Sequence, residues 1–502
     1  LVEFEARRDR RSVDTGIDVV NNTAYVWGLA YYGISGGDAG VNDSEYNNYP
    51  PSAVEGLPVG GITEMSGQIY NFNAVDFEGC VWGWGSYAKR DGTGSVSGRS
   101  GTGGSWPPKK VKIGGKWNDT TKPDLCNVAL LSATHSAGAA VTKDGYVYSW
   151  GDWLYGARGA EGGAYLVEGL PDPTLEGKKP IQLEGGYENY WVILEDGEVW
   201  YFGYSDGYER PAADEGGYEH SAGQSPSSSK AVIAMPSTAL APWFRYENPD
   251  EYIIQVHSGI YFGAALLSTG RVLTWGKEHA QALARLCTTA KSSQCDDQAR
   301  SPAYADQPVD TKLVQLSCTF TAMVALSEDR VLYGWGASSP YVSYEYLPHY
   351  PMQPVKYGDG SPVTDAVRFQ TGQGYFLWWT ADGRLFSQGY NPRGSTGHRA
   401  SMPDGDYDVP HEAWFAGEEF MGCTYTSMMS KGSGEKNTPP VYSGCGRLRQ
   451  PWDGETGPER EYQYRFTMAQ CIAWADFEWP YIVDPKTKKA TFPSDGRKGL
   501  CA

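Results

Sequence analysis

Residues 137–151 read AGAAVTKDGYVYSWG, and the organisation of the chain follows from them. Ala139, Ala140 and Val141 form a short apolar run, Lys143-Asp144-Gly145 a turn, and Tyr146 to Trp150 a second run closed by Gly151. Asp-Gly between two apolar runs is a strong hairpin signal, because glycine reaches positive φ without steric cost. The same ending occurs eight times, at Gly28, Gly85, Gly151, Gly203, Gly276, Gly336, Gly389 and Gly446. Seven of the eight carry an aromatic residue within three positions before the glycine. The intervals are 57, 66, 52, 73, 60, 53 and 57 residues, which is the signature of a repeat architecture.

Variants of the turn recur at Glu195-Asp196-Gly197, Ser268-Thr269-Gly270 and Ala381-Asp382-Gly383. Glu328-Asp329-Arg330 lacks the glycine and makes a poorer turn. One hairpin cannot bury its own apolar face. Many at near-constant spacing can, if each belongs to a small sheet packed on the next around an axis, as in a β-propeller. Trp84, Trp150, Trp275 and Trp335 hold one place in the repeat and are therefore assigned to packing between blades.

Glycines ahead of the hairpins (Gly185-Gly186, Gly259, Gly372 and Gly374) extend the pattern to GG-x-Y, then DG-x-V-x-x-WG. This pattern resembles the regulator of chromosome condensation family over about residues 13–446. The resemblance implies an all-β fold of seven blades. Eight endings are present, so the expectation is seven blades with a terminal copy completing a shared one, or eight. Residues 1–12 and 447–502 lie outside the pattern as terminal extensions. Tyr462, Tyr464 and Phe466 alternate at strand period there, a form suited to closing the ring.

The net charge of −18 argues against a nucleic-acid surface as the main function. No run of eighteen apolar residues is present, so no transmembrane helix is expected. The opening LVEFEARRDRR fits a chain matured by signal removal, and equally a truncated one. Nine cysteines occur without a CxxC or Cys/His cluster. Cys287 and Cys295 bracket a short polar segment, Cys423 and Cys445 flank the last hairpin ending, and Cys471 and Cys501 would tie down the C-terminal tail; these pairs are the candidate disulfides. Cys318 sits at a strand position and is expected as a buried thiol. Sequons at Asn21, Asn42 and Asn118 are glycosylation candidates. Together these features point to an extracellular or secretory location.

Long excursions from a rigid scaffold are where binding residues gather. The interval between Gly85 and Gly151 opens with a segment of eight Lys/Arg against three Asp, a basic island on an acidic molecule. Its Gly/Ser content reads as flexible, with Trp106 at its centre. Trp106, Lys109, Lys110, Trp117, Trp153 and Trp243 are the candidate partner-binding residues, and Trp414 also lies outside the repeat register. Asp404, Asp406 and Asp408 alternate in DGDYD and are the one candidate set for an ion, calcium, without the remaining ligands of a twelve-residue loop.

No catalytic motif stands out. Two Gly-x-Ser-x-Gly matches, at Gly33 and Gly203, follow repeat glycines with no helix signal behind them. With 63 glycines such matches arise by chance. The sequence therefore favours a non-catalytic scaffold, secreted or surface-exposed, that binds another protein or self-assembles through its loops. The resemblance implies an alternative, an intracellular nucleotide exchange factor or adaptor. A third reading is an enzyme or a carbohydrate-binding propeller using the central pocket or exposed aromatics.

Overall fold

The computed structural model describes residues 15–20, 23–29, 48–85, 105–151, 163–203, 211, 232–276, 282–285, 301–336, 352–390, 406–412, 445–450, 460–465, 482–483 and 490–491, with breaks of one or two residues inside these spans. The fold is an all-β propeller. Among the described residues, six sheets are complete four-stranded blades. Blade 1 comprises Ile62–Gln68, Asn71–Asp76, Val81–Gly85 and Ser105–Lys110. Blade 2 comprises Val128–Ala133, Ala137–Thr142, Val147–Gly151 and Tyr165–Leu166. Blade 3 runs through Pro180–Gly185, Asn189–Leu194, Val199–Gly203 and Met235–Pro236. Blade 4 has Ile253–Ser258, Phe262–Leu267, Val272–Gly276 and Ala303–Tyr304. Blade 5 has Leu313–Cys318, Ala322–Ser327, Leu332–Gly336 and Gln353–Pro354. Blade 6 has Ala366–Thr371, Tyr375–Thr380, Leu385–Tyr390 and Asp406–Glu412.

The expectation of seven or eight blades is corrected to these six. The Gly28 hairpin belongs to a three-stranded sheet, Thr15–Val20, Thr23–Leu29 and Asn48–Ala53, whose first strand neighbours that of blade 1. Gly446 does not end a hairpin at all. It is the second residue of Cys445–Gln450, which pairs with Arg460–Arg465 as a separate two-stranded sheet. Glycine at a strand start and at a strand end looks alike when only the dipeptide is read. No helix among the described residues is long and apolar enough to cross a membrane.

The hairpin visible in the sequence is the second and third strand of each blade. The repeat glycine ends the third strand in blades 1 to 5 and is its penultimate residue in blade 6, with φ between 96° and 147° in all six, a conformation that L side chains rarely adopt. Ahead of each hairpin lies a first strand, and the first strands of successive blades neighbour one another around the ring. In every blade the register of this strand slips between its first and third residues, a bulge that increases local twist. In blades 2 to 5 the outer edge is blunted by a two-residue fourth strand, with proline at Pro236 and Pro354.

The core lies between blades rather than within them. Second strands are buried at every position in blades 2 to 6, because alternate residues serve opposite neighbours. In blade 2, Ala137, Ala139 and Val141 pack with Leu183, Tyr190 and Phe202 of blade 3. Ala140 and Trp150 pack with Val75 and Val81 of blade 1. Trp84, Trp150, Trp275 and Trp335 are all fully buried, as blade packing requires. Burying one such ring removes about 150–250 Å² from water, worth roughly 4–6 kcal/mol before entropy is charged against it.

Near the axis the joints are polar. The third and fifth residues of a first strand face the next blade. The Gly185 backbone N–H donates to Ser132 Oγ at 2.8 Å, and the Leu316 N–H donates to Gln255 Oε1 at 2.9 Å. Gln315 Nε2 donates to the Phe369 carbonyl at 3.2 Å, and the Ser317 and Thr371 hydroxyls meet at 2.7 Å. These bonds satisfy buried groups that would otherwise be costly to desolvate.

Candidate interaction surface

The basic island divides in two. Residues 86–104 lie outside the described residues, but 105–125 form an ordered projection, against the reading of the segment as flexible. Its Gly and Ser residues are concentrated before Trp106, and the chain beyond finds backbone partners. Val111 N–H donates to the Val81 carbonyl at 2.8 Å, Val81 N–H to Leu125 at 2.9 Å, and Ile113 N–H to Pro123 at 2.9 Å. The projection is also tied to blade 2, since Ala164 N–H donates to the Lys112 carbonyl at 2.7 Å.

A disulfide joins Cys80, in the blade 1 hairpin turn, to Cys126, just ahead of blade 2. It closes the base of the projection. Sequence reasoning missed this pair, because the two positions approach only once blades 1 and 2 are stacked. Cys318 is a buried thiol, as expected. Cys287, Cys295, Cys423, Cys471 and Cys501 lie outside the described residues, as does the side chain of Cys445.

Lysines and indoles meet along the projection. Lys109 Nζ stands 4.9 Å from the centre of the Trp117 ring, and Lys110 Nζ stands 5.5 Å from that of Trp82. Cation–π attraction of this kind restrains a lysine side chain over the ring. Lys110 also lies 3.5 Å from Glu78 and 3.9 Å from Asp76, and Lys112 pairs with Asp124 at 2.7 Å. Asp76 is buried and accepts from the Cys80 N–H and from Trp82 Nε1, both at 2.8 Å. Asp76, Glu78 and Cys80 have ligand atoms within 4.8 Å of one another. The Cys80 sulfur is committed to the disulfide and the Lys110 ammonium faces both carboxylates, so this trio is explained without an ion.

At the tip, Asp119 Oδ1 accepts from the Thr121 N–H at 3.0 Å and from its hydroxyl at 2.6 Å. Those bonds hold its carboxyl below the ordinary range, the Thr121 hydroxyl contributing most. Trp117 is half-buried and Asn118 exposed. The backbone of Trp106 belongs to the fourth strand of blade 1, and its side chain is not described.

Trp243 is placed elsewhere. It ends a 3₁₀ turn between blades 3 and 4 and rests on the core those blades share. Its Nε1 donates to the Tyr304 hydroxyl at 3.4 Å, which donates to Glu251 Oε2 at 2.7 Å. The Arg271 guanidinium lies 3.4 Å from the Tyr304 ring centre and 3.5 Å from Glu251. Burial raises the Glu251 carboxyl, but bonds from Thr269 and Tyr304 and the Arg271 charge outweigh it, and the net shift is downward. This network clips the fourth strand of blade 4 to its hairpin. Trp243 is therefore not part of one surface with Trp117.

Trp153, Asn21, Asn42, Asp404 and Trp414 lie outside the described residues, as do 33–37 and 204–207 of the Gly-x-Ser-x-Gly matches. Asp406 and Asp408 belong to the fourth strand of blade 6, where Asp406 pairs with Tyr390. The first strands PIQLEG, IIQVHS and LVQLSC share polar third and fifth positions, the side chains that serve the joints near the axis.

No family model matches the chain. Its sequence is 24% identical over 303 residues to the E3 ubiquitin-protein ligase HERC2 of Mus musculus, covering 59% of this chain and 5% of that one. It is 24% identical to protein pim1 of Schizosaccharomyces pombe, covering 60% of this chain and 51% of that one. It is also 24% identical to the ultraviolet-B receptor UVR8 of Arabidopsis thaliana, covering 62% and 60%. Among solved structures, yeast RCC1 (Prp20) bound to Kap60 superposes with a TM-score of 0.55 at 16% identity, over 82% of this chain and 86% of that one. Human WBSCR16 superposes at 0.52 and 17% identity, over 78% and 94%.

The chain is an RCC1-like β-propeller.

The RCC1-like region of this chain spans at most 60% of those three curated relatives, and a small fraction of the ligase. Another structure of Prp20p, from Saccharomyces cerevisiae, is described together with its binding to Gsp1p and histones, and superposes at 0.53 and 18% identity over 80% of this chain and 86% of that one. Prp20, a neighbour in fold, is thus a protein that binds other proteins.

Proposed function

We propose that this RCC1-like chain is a non-catalytic protein-interaction scaffold of an oxidising, secretory or extracellular setting. The observation that carries this reading is the 105–125 projection. It is a charged, indole-bearing element held on a rigid ring by backbone bonds and by the Cys80–Cys126 disulfide at its base. Trp is among the residues that supply most binding energy in protein interfaces, and a pre-ordered support lowers the cost of engaging it. The disulfide supports the compartment, since such bonds persist where thiols are not kept reduced.

A photo-crosslinking residue at Lys116 of the full chain tests the docking role. The expected result is a discrete protein adduct, competed by wild-type chain and lost on Trp117→Ala. Absence of any competed adduct in both secreted and cytosolic fractions of the source would refute it.

The likeness to Prp20, described with Gsp1p, favours a second reading, a nucleotide exchange factor. Acceleration of nucleotide release from any member of a panel of small GTPases would replace the first reading with this one.

A further inference from the structure

We infer that Asn118 is the acceptor of an N-linked oligosaccharide. The inference rests on the secretory setting proposed above. Asn118-Asp119-Thr120 is one of three sequons in the chain, and it is the one whose side chains the structure describes. Asn118 and Thr120 are both exposed at the tip of the projection. The intervening Asp119 could have captured either neighbour. Its carboxylate is instead occupied by the N–H and hydroxyl of Thr121. The Asn118 amide and the Thr120 hydroxyl are thereby left to solvent, the two groups that transfer to a sequon must engage.

The tip is also presented on a defined backbone. Asp119 N–H donates to the Lys116 carbonyl at 3.0 Å and Lys122 N–H to Asp119 at 3.2 Å, so Asn118 lies within a tight turn at the end of a paired stem. In the transfer, Asn118 Nδ2 forms a bond to the anomeric carbon of a lipid-diphosphate-linked oligosaccharide. The carbon–oxygen bond to the diphosphate breaks, the diphosphate keeps the electron pair, and the amide loses one proton. The sugar would stand beside Trp117 and Lys109, so a partner engaging that pair must meet or avoid it.

The test is peptide mapping of the full chain expressed behind a secretory leader in eukaryotic cells. Glycan is released by an amidase in heavy-oxygen water, and both secreted and retained chains are mapped, because transfer precedes export. Labelled aspartate at position 118 is the expected result, lost in Asn118→Gln and Thr120→Ala and retained in Thr120→Ser. Chain whose Cys80–Cys126 bond has formed but whose residue 118 is unlabelled overturns the inference. Labelled chain that gives no adduct from Lys116 leaves the glycan standing and removes the docking reading.

Discussion

Replacing Arg330 by glycine is expected to stabilise the protein. The hairpin turns of blades 1 to 4 place glycine at this position, with φ of 78°, 97°, 90° and 85° at Gly79, Gly145, Gly197 and Gly270. Blade 5 keeps the same turn, since Arg330 N–H donates to the Ser327 carbonyl as Gly270 N–H does to Leu267. Arg330 is thereby held at φ 65°. A left-handed backbone costs an L residue about 1–2 kcal/mol. Glycine gives back about 0.4–1 kcal/mol through the greater freedom of the unfolded chain. The Arg330 side chain is exposed, and no interaction with it among the described residues offsets the difference. The net gain is about 0.5–1 kcal/mol, or roughly 0.2–0.3 M in the urea midpoint at a slope near 3 kcal/mol/M. Gly270→Ala is the control of opposite sign. Its added Cβ would meet the Leu313 nitrogen at 2.7 Å and the Lys312 Cα at 2.9 Å, in addition to the φ cost. Urea unfolding followed by tryptophan fluorescence reads both. An Arg330→Gly chain no more stable than the parent, or a neutral Gly270→Ala, would refute the reasoning.

The Cys80–Cys126 bond closes a separation of 46 residues, and the chain-entropy relation gives about 4 kcal/mol for a loop of that length. A Cys80→Ala/Cys126→Ala chain should unfold at correspondingly lower urea, and limited proteolysis should cut 105–125 first; equal midpoints would contradict this. Glu251 predicts an acid limb. Its carboxyl is held below the ordinary glutamate range in the folded chain, so its contribution is present above that range and is lost as pH falls through the folded pKa. Glu251→Gln should flatten the stability profile in that window and leave neutral-to-alkaline slopes unchanged, as measured by thermal unfolding between pH 3 and 8.

The propeller was legible because its hairpin signals are local. Asp144-Gly145 and Trp150-Gly151 state a turn and a strand end within eight residues, and repetition turned a weak motif into an architecture. The first strands were harder to see. Their bulge breaks the alternation of apolar and polar residues after the first position, so LVQLSC does not read as a period-two strand. The site was less legible for a different reason. Cys80 and Cys126, Lys110 and Glu78, and Arg271 and Tyr304 are joined by stacking and by fourth strands of two to seven residues, and nothing local marks those partners.

The departures from the Trp-Gly motif follow from where the core lies. The residue before the third-strand glycine faces the preceding blade, and its cross-strand partner on the second strand shares that face. Trp150 pairs with Gly138 and Trp275 with Gly263, where any side chain on the glycine would enter the indole. Trp335 faces Met323, Trp84 faces Phe72 and Phe202 faces Tyr190. In blade 6 the third strand offers only Gln388, and the volume comes from Phe376 opposite it, with Trp378 stacked on Phe376 and Phe386. Cores packed at crystal-like density tolerate exchange of volume across a pair far better than its loss. The unit that the repeat preserves is therefore the summed bulk of two facing positions on neighbouring strands. A motif written on one strand finds that unit in blades 2 and 4, where one side carries it all, and misses it in blade 6, where the other side does.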